Sequence, residues 1–302
     1  MTDGAPGATH GAPGMPGASG HHDWEPSDLE LDRRRYRKRA SARSVLIAAV
    51  STLVFTAVVW VALVNSPGWD AVKESFFNLE IGRDSFPDVL EGLWLNIRAL
   101  FFAVIGVAVL GTLLAVMRSL RGPVWFPLRA IATIYTDMFR GMPVLIVLYL
   151  VGFGIPALDI FPRLPAAVWG TIAITLCYSA YVAEVLRAGM EAVHPSQRVA
   201  ARSLGLSHGE TLRLVVIPQG LRKVVPPLMN DFVSMQKDVG LISILGAVDA
   251  IRAAQIDVAA TYNFTPYVVA ALLFIALSLP FIRLTDYVSK RMAQREQMGG
   301  TV

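Results

Sequence analysis

Long apolar runs separated by short polar stretches organise this chain. The first, Val45 to Val64, holds no charged residue, and its ~20 residues suffice to cross a bilayer core of ~30 Å. A second runs from about Val89 to Met117 and exits at Arg118 and Arg121. A third, near Ala130 to Phe153, contains a break at Phe139-Arg140-Gly141-Met142-Pro143, where Gly and Pro interrupt a helix. The fourth covers about Ala166 to Arg187, the fifth Val224 to Val248 and the sixth Tyr267 to Val288. This pattern predicts an all-α protein, a polytopic transmembrane helical bundle of six spans.

The polar interruption from Glu184 to about Gln219 carries helix punctuation of its own. Pro195 suits the first turn of a helix, where a missing N–H costs nothing, and Gly205 suits a left-handed C-terminal stop. Ser207 and Glu210 form a Ser-x-x-Glu capping box that opens a second helix, which Pro218 limits. The result is helix, tight turn, helix at the membrane surface. Ala200, Ala201, Leu204 and Gly205 then form a small-residue face that a partner's groove can approach closely. An ordinary amphipathic loop between spans fits the same residues.

The composition, 54% hydrophobic against 17% charged, is that of a polytopic membrane protein. A net charge of +4 raises the question of nucleic acid, and the placement of the charges answers it against nucleic acid. Lys and Arg cluster at the ends of apolar spans. With the N-terminus inside, six spans put residues 118–129, 187–223 and 289–302 inside as well, and these hold most of the remaining basic residues. The loops near 154–165 and 249–265 carry only Arg163 and Arg252. The positive-inside rule therefore places both termini in the cytoplasm, in a multi-pass protein of the cytoplasmic membrane.

Residues 1–43 are expected to be a disordered, basic cytoplasmic tail, rich in Gly, Pro and Ala and ending in RRRYRKRASAR. His10, His21 and His22 are scattered in it and are read as inert rather than as metal ligands. Residues 44–65 form the first membrane helix. The single Cys177, in an apolar run, is a packing residue. There is no His-Glu-x-x-His pattern, no nucleophile constellation and no Gly-x-x-x-x-Gly-Lys-Ser/Thr loop, so no metal site is expected and this chain cannot hydrolyse ATP by itself.

Ala200-Ala201, then Gly205, then Val215-x-Ile217-Pro218, resembles the EAA loop of bacterial ABC importer permeases. One position departs: Val199 stands where that family has the Glu of the motif's name. Phe139-Arg140-Gly141-x-Pro143, Tyr181-x-Ala183-Glu184-x-x-Arg187-x-Gly189, Pro218-Gln219 and Pro226-Pro227-Leu228-x-Asn230 resemble the polar amino acid branch, similar to histidine, glutamate and glutamine importers. The resemblance covers residues 87–295, with a coupling segment at 190–219. It implies a five-span core, to which the helix at 44–65 is an addition. It also implies docking of the coupling segment on separate ATP-binding subunits that hold ATP and Mg, through Ala200, Ala201, Arg202, Leu204, Gly205 and Pro218. A second permease copy or paralogue, an extracytoplasmic solute-binding protein and a polar amino acid substrate follow from the same resemblance.

Other polar residues sit within the spans. Glu184 and Arg187 share a helix face and can pair, as a structural ion pair or as a gate. Arg140 lies at the helix break, where irregular backbone either lines a cavity or marks a simple kink. Asn230, Ser234, Lys237 and Asp238 make the fifth span a candidate lining of the translocation path or a packing helix within the lipid-embedded bundle. The competing expectation is an ion-gradient-driven secondary transporter or channel using Lys237, Asp238 and Glu184.

Overall fold

In the computed structural model of the protein, residues 27–120 and 122–299 are described, and they divide into two compact units at the Trp69–Asp70 boundary. The first unit is one long helix, α1 (Asp28–Val64), capped by Asn65. Its Ser41–Val64 segment has a mean hydropathy of 2.5 and is long and apolar enough to cross a membrane. The expectation of disorder through residue 43 is corrected from Asp28 onward. Arg, Lys, Leu and Ala are good helix formers, and an apolar helix that has already nucleated extends through them one bond at a time. His10, His21, His22 and Arg121 lie outside the described residues.

After α2 (Trp69–Phe76) come α3 (Leu79–Ser119), α4 (Phe126–Gly141), α5 (Val144–Tyr149) and α6 (Ala166–Glu191). Then follow α7 (Pro195–Ser203), α8 (His208–Thr211), α9 (Ile217–Asp238), α10 (Ala250–Thr261) and α11 (Thr265–Gly299). The all-α membrane bundle expected from the apolar runs is borne out. Among the described residues four helices are long and apolar enough to span, or six if each of two bent pairs is one span.

The second unit is built around α6. Half of its apolar window is buried, against 11% for α11, and its mean hydropathy is the lower of the two, 1.5 against 2.2. A helix surrounded by protein has less need of lipid-soluble side chains than one facing lipid. Small residues let its neighbours approach: a Cβ on Gly111 of α3 would lie 2.9 Å from Val182 Cγ1 and 3.2 Å from the Ser179 carbonyl of α6. Ala103, Ala173 and Cys177 fill the same interface with no exposed surface. Cys177 is a packing residue there.

Three boundaries differ from the apolar runs. α3 starts at Leu79, because the Asn78 side chain accepts from the Glu80 and Ile81 N–H groups and caps it there. The third run is two helices meeting at 110° at Met142-Pro143. Pro143 restricts Met142 to an extended conformation, which turns the chain rather than merely kinking it. The fifth run gives way at Val239–Leu245 to a 3-10 turn and at Gly246 to a left-handed residue, and α10 leaves at 50°. The expected loop at 249–265 is therefore largely the helix α10, capped by the Asp249 side chain.

Candidate functional site

The polar interruption folds as its punctuation requires. Pro195 sits in the first turn of α7, with His194 Nδ1 accepting from the Ser196 N–H at 3.2 Å. Gly205 takes the left-handed conformation, φ 86°, and ends the helix. Ser207 and Glu210 exchange both bonds of a capping box at the start of α8, with the Ser207 N–H donating to the Glu210 carboxylate at 2.8 Å. Ala200, Arg202, Leu204 and Gly205 are exposed, Leu204 to 84%, and Val199 stands beside them.

Two expectations need correction here. Ala201 does not share the exposed face: it is 4% exposed and turned inward, because adjacent helical residues point about 100° apart. Pro218 does not limit the second helix either. The chain runs from α8 through a π turn, Leu212–Val216, into α9, whose first turn holds Pro218. There its missing N–H is no loss.

The exposed turn is fastened to the membrane helices. The Arg198 guanidinium donates to the Met190 carbonyl at 2.5 Å, and Lys223 Nζ to the Ala192 carbonyl at 2.8 Å. Both cations satisfy carbonyls at the α6 C-terminus, where the helix dipole also favours positive charge. α7 and α9 are thereby tied to one helix end.

One turn of α6 deeper lies a charge cluster. Glu184 and Arg187 do pair, with Arg187 Nη2 2.5 Å from Glu184 Oε1. Glu184 Oε2 also receives Arg118 Nη1 of α3 at 2.7 Å and faces Arg140 Nη1 of α4 at 3.6 Å. Arg187 in turn reaches Glu191 at 2.6 Å. One carboxylate thus joins α3, α4 and α6. Arg118 was legible only as an orientation charge, and nothing local to Arg140 points at a carboxylate on another helix.

On α9, Asn230 and Lys237 are exposed and Ser234 is half-buried. Asp238 is half-buried and accepts from the Tyr178 hydroxyl of α6 at 2.7 Å. Among the described residues Lys237 and Asp238 form no ion pair. The deepest polar side chain of the helix is Gln236, 1% exposed and donating to Ser278 Oγ of α11 at 2.9 Å. Asn96 of α3, 2% exposed, holds the break before α10: its amide donates to Asp249 Oδ2 at 3.0 Å and to the Val239 carbonyl at 3.2 Å, and its oxygen accepts from the Ala250 N–H. A lone Asn inside an apolar run was the signal for it. Among the described residues no group of three His, Cys, Asp or Glu side chains is placed to hold a metal ion.

A fastened exposed turn beneath a bundle with broken helices is the geometry to compare with known proteins. The model of the family described as binding-protein-dependent transport system inner membrane component matches residues 109–294. The chain belongs to this family. The matched stretch takes in the Glu184 cluster, α7, α8 and α9, and leaves α1 outside. Among relatives of this permease, the probable glutamine ABC transporter permease protein GlnM of Bacillus subtilis is 31% identical over 71% of this chain and 98% of that protein. The arginine transport system permease protein ArtQ of the same organism is 30% identical over 70% and 94%. The crystal structure of an amino acid ABC transporter with histidines aligns at TM-score 0.63 and 34% identity, over 68% of this permease and 94% of that chain. A bacterial ABC transporter that imports alginate shares the fold alone, at TM-score 0.55 and 12% identity. The permease is a transport component rather than an enzyme, and the ion-gradient alternative finds no counterpart among these relatives.

Proposed function

We propose that this permease carries a polar amino acid inward across a bacterial cytoplasmic membrane, powered by separate ATP-binding subunits that hold ATP and Mg. It pairs with a second copy or a paralogue and receives its substrate from an extracytoplasmic solute-binding protein. Both termini and the α7–α8 turn face the cytoplasm. Relatives named for glutamine and arginine transport support the substrate class.

The observation that carries the coupling role is the exposed α7–Gly205–α8 turn, bonded to the α6 C-terminus by Arg198 and continuous with α9. An ATPase that grips Ala200, Arg202, Leu204 and Gly205 moves both helices at once. Asn230, Ser234, Lys237 and Asp238 on α9 then line the path, while Arg140 and Arg187 work with Glu184 as struts. Movement of helices around a site within the membrane is the general logic of transporters.

Co-purification tests this. The tagged chain is expressed with its ATPase and extracted in mild detergent beside Gly205→Glu. ATPase activity should follow the wild type and be lost with the variant. Absence of an associated ATPase in both would leave the turn an ordinary loop.

A further inference from the structure

A groove at the α7–α8 end of the second unit joins an apolar floor to a basic rim. The floor, about 600 Å³, lies between the last turns of α3 and α6 and the start of α9. From Thr112 to Leu120 it follows α3 for ~12 Å at 1.5 Å per residue. Val116, Trp125 and Leu221 line it and are 54%, 47% and 52% exposed. Contiguous apolar surface of this kind calls for a cover. At the end of membrane-spanning helices, beside an interfacial Trp, the cover at hand is an acyl chain.

The rim shares Ser119, Leu120, Met190 and His208 with the floor. Its cavity of about 310 Å³ is lined by Arg118, Arg129, Arg187 and Arg198, with Glu191 the one carboxylate among the lining residues. Arg118 and Arg187 are engaged with Glu184 and Glu191. Arg129 and Arg198 are held by neutral partners instead, the Leu120 carbonyl at 3.1 Å and the Met190 carbonyl at 2.5 Å. Among the described residues neither has a carboxylate within ion-pair reach. Two oriented guanidinium forks therefore stand at the mouth of an apolar slot. Arginine forks match phosphate oxygens, and basic pockets between membrane helices accept lipid head groups.

We infer that the groove binds one anionic phospholipid, with an acyl chain along α3 and α9 and the phosphate between Arg129 and Arg198. The assignment of the cytoplasmic leaflet rests on the proposed function. The binding itself rests only on the membrane placement of α3 and α6, so it stands or falls apart from substrate and ATPase. Because Arg198 also straps α7 to α6, the lipid phosphate meets the coupling turn at one side chain.

Native mass spectrometry of the full-length chain, purified without ATPase, tests it. The protein is exchanged against phosphatidylglycerol or phosphatidylcholine of identical acyl chains. One phosphatidylglycerol should be retained in clear preference to phosphatidylcholine, and glycerol 3-phosphate alone should not displace it. Arg129→Gln should lower retention about fivefold, and Arg129→Lys much less. Val116→Trp, which fills the floor without changing charge at an exposed position, should lower it comparably. Equal retention of both lipids, or unchanged retention in both Arg129→Gln and Val116→Trp, overturns the inference. Displacement by glycerol 3-phosphate assigns the rim to a free anion, and stoichiometric displacement by the ATPase assigns the groove to a protein interface; either result overturns it as well.

Discussion

Arg140 Nη1 stands 3.6 Å from Glu184 Oε2, so the last turn of α4, just before the 110° bend, is held to the central helix by charge. Arg118 meets the same oxygen at 2.7 Å. The acceptor is shared, and its loss is felt on three helices.

Glu184→Gln keeps the side-chain shape and removes the charge. Arg118, only 11% exposed, then loses its charged acceptor, and the cost should be roughly 1.5–3 kcal/mol. Arg140→Gln should cost less than about 1 kcal/mol, because that pair is longer and Arg140 is 40% exposed. Thermal unfolding in detergent ranks the two variants. An equal fall in Tm would contradict the geometry.

At Gly205 the backbone and the surface can be separated. With φ at 86° and no atom within 4 Å of where a Cβ would stand, Gly205→Ala meets backbone strain of about 1–2 kcal/mol without a clash. Gly205→Asn should be milder, since Asn tolerates this conformation. Uptake should fall in the order Gly, Asn, Ala, Glu, with Glu inactive although inserted in the membrane. Normal uptake by Gly205→Glu would count against docking at this turn.

Where α6 crosses α9, Gly189 has room for hydrogen only. A Cβ there would overlap Val224 Cγ1 and come 3.0 Å from the Gly220 carbonyl. Gly189→Ala should destabilise by about 1–3 kcal/mol through overpacking. Adding Val224→Ala should recover part of it, because the valine methyl is the nearest obstacle and the carbonyl remains. A double-mutant cycle on unfolding in detergent reads this directly; strict additivity would mean the two residues do not meet.

Asn96→Leu should destabilise by about 1–3 kcal/mol, because Asp249 Oδ2 and the Ala250 N–H both lose a partner at a fully buried site. Faster hydrogen exchange at the start of α10 is the local signature. Unchanged exchange there would show that the break is held by backbone alone.

What the sequence made legible was local. Pro195, Gly205, Ser207 and Glu210 each act on partners within four residues, so the two caps and the turn could be read from spacing. The apolar runs likewise declared a helical membrane protein. The Glu184 cluster was not legible, because Arg118 and Glu184 are 66 residues apart in the chain. Only packing of α3, α4 and α6 against one another brings those guanidiniums together. The bend at Pro143 was signalled, but its 110° angle depends on where α5 finds a surface to pack against. Ala201 was misplaced for a simpler reason, since two consecutive helical residues cannot share one face.

The π turn at Leu212–Val216 has a consequence for α9 as a rotating part. Ile217 bonds back five residues to Leu212 instead of four, so one residue is taken up without advancing the spiral by a full step. Deleting a residue there would spin everything after it by about 100°, carrying Asn230, Ser234 and Asp238 to a different azimuth. The interval between Gly205 and Pro218 is therefore an angular setting, in which loop length dictates which side of a helix looks inward.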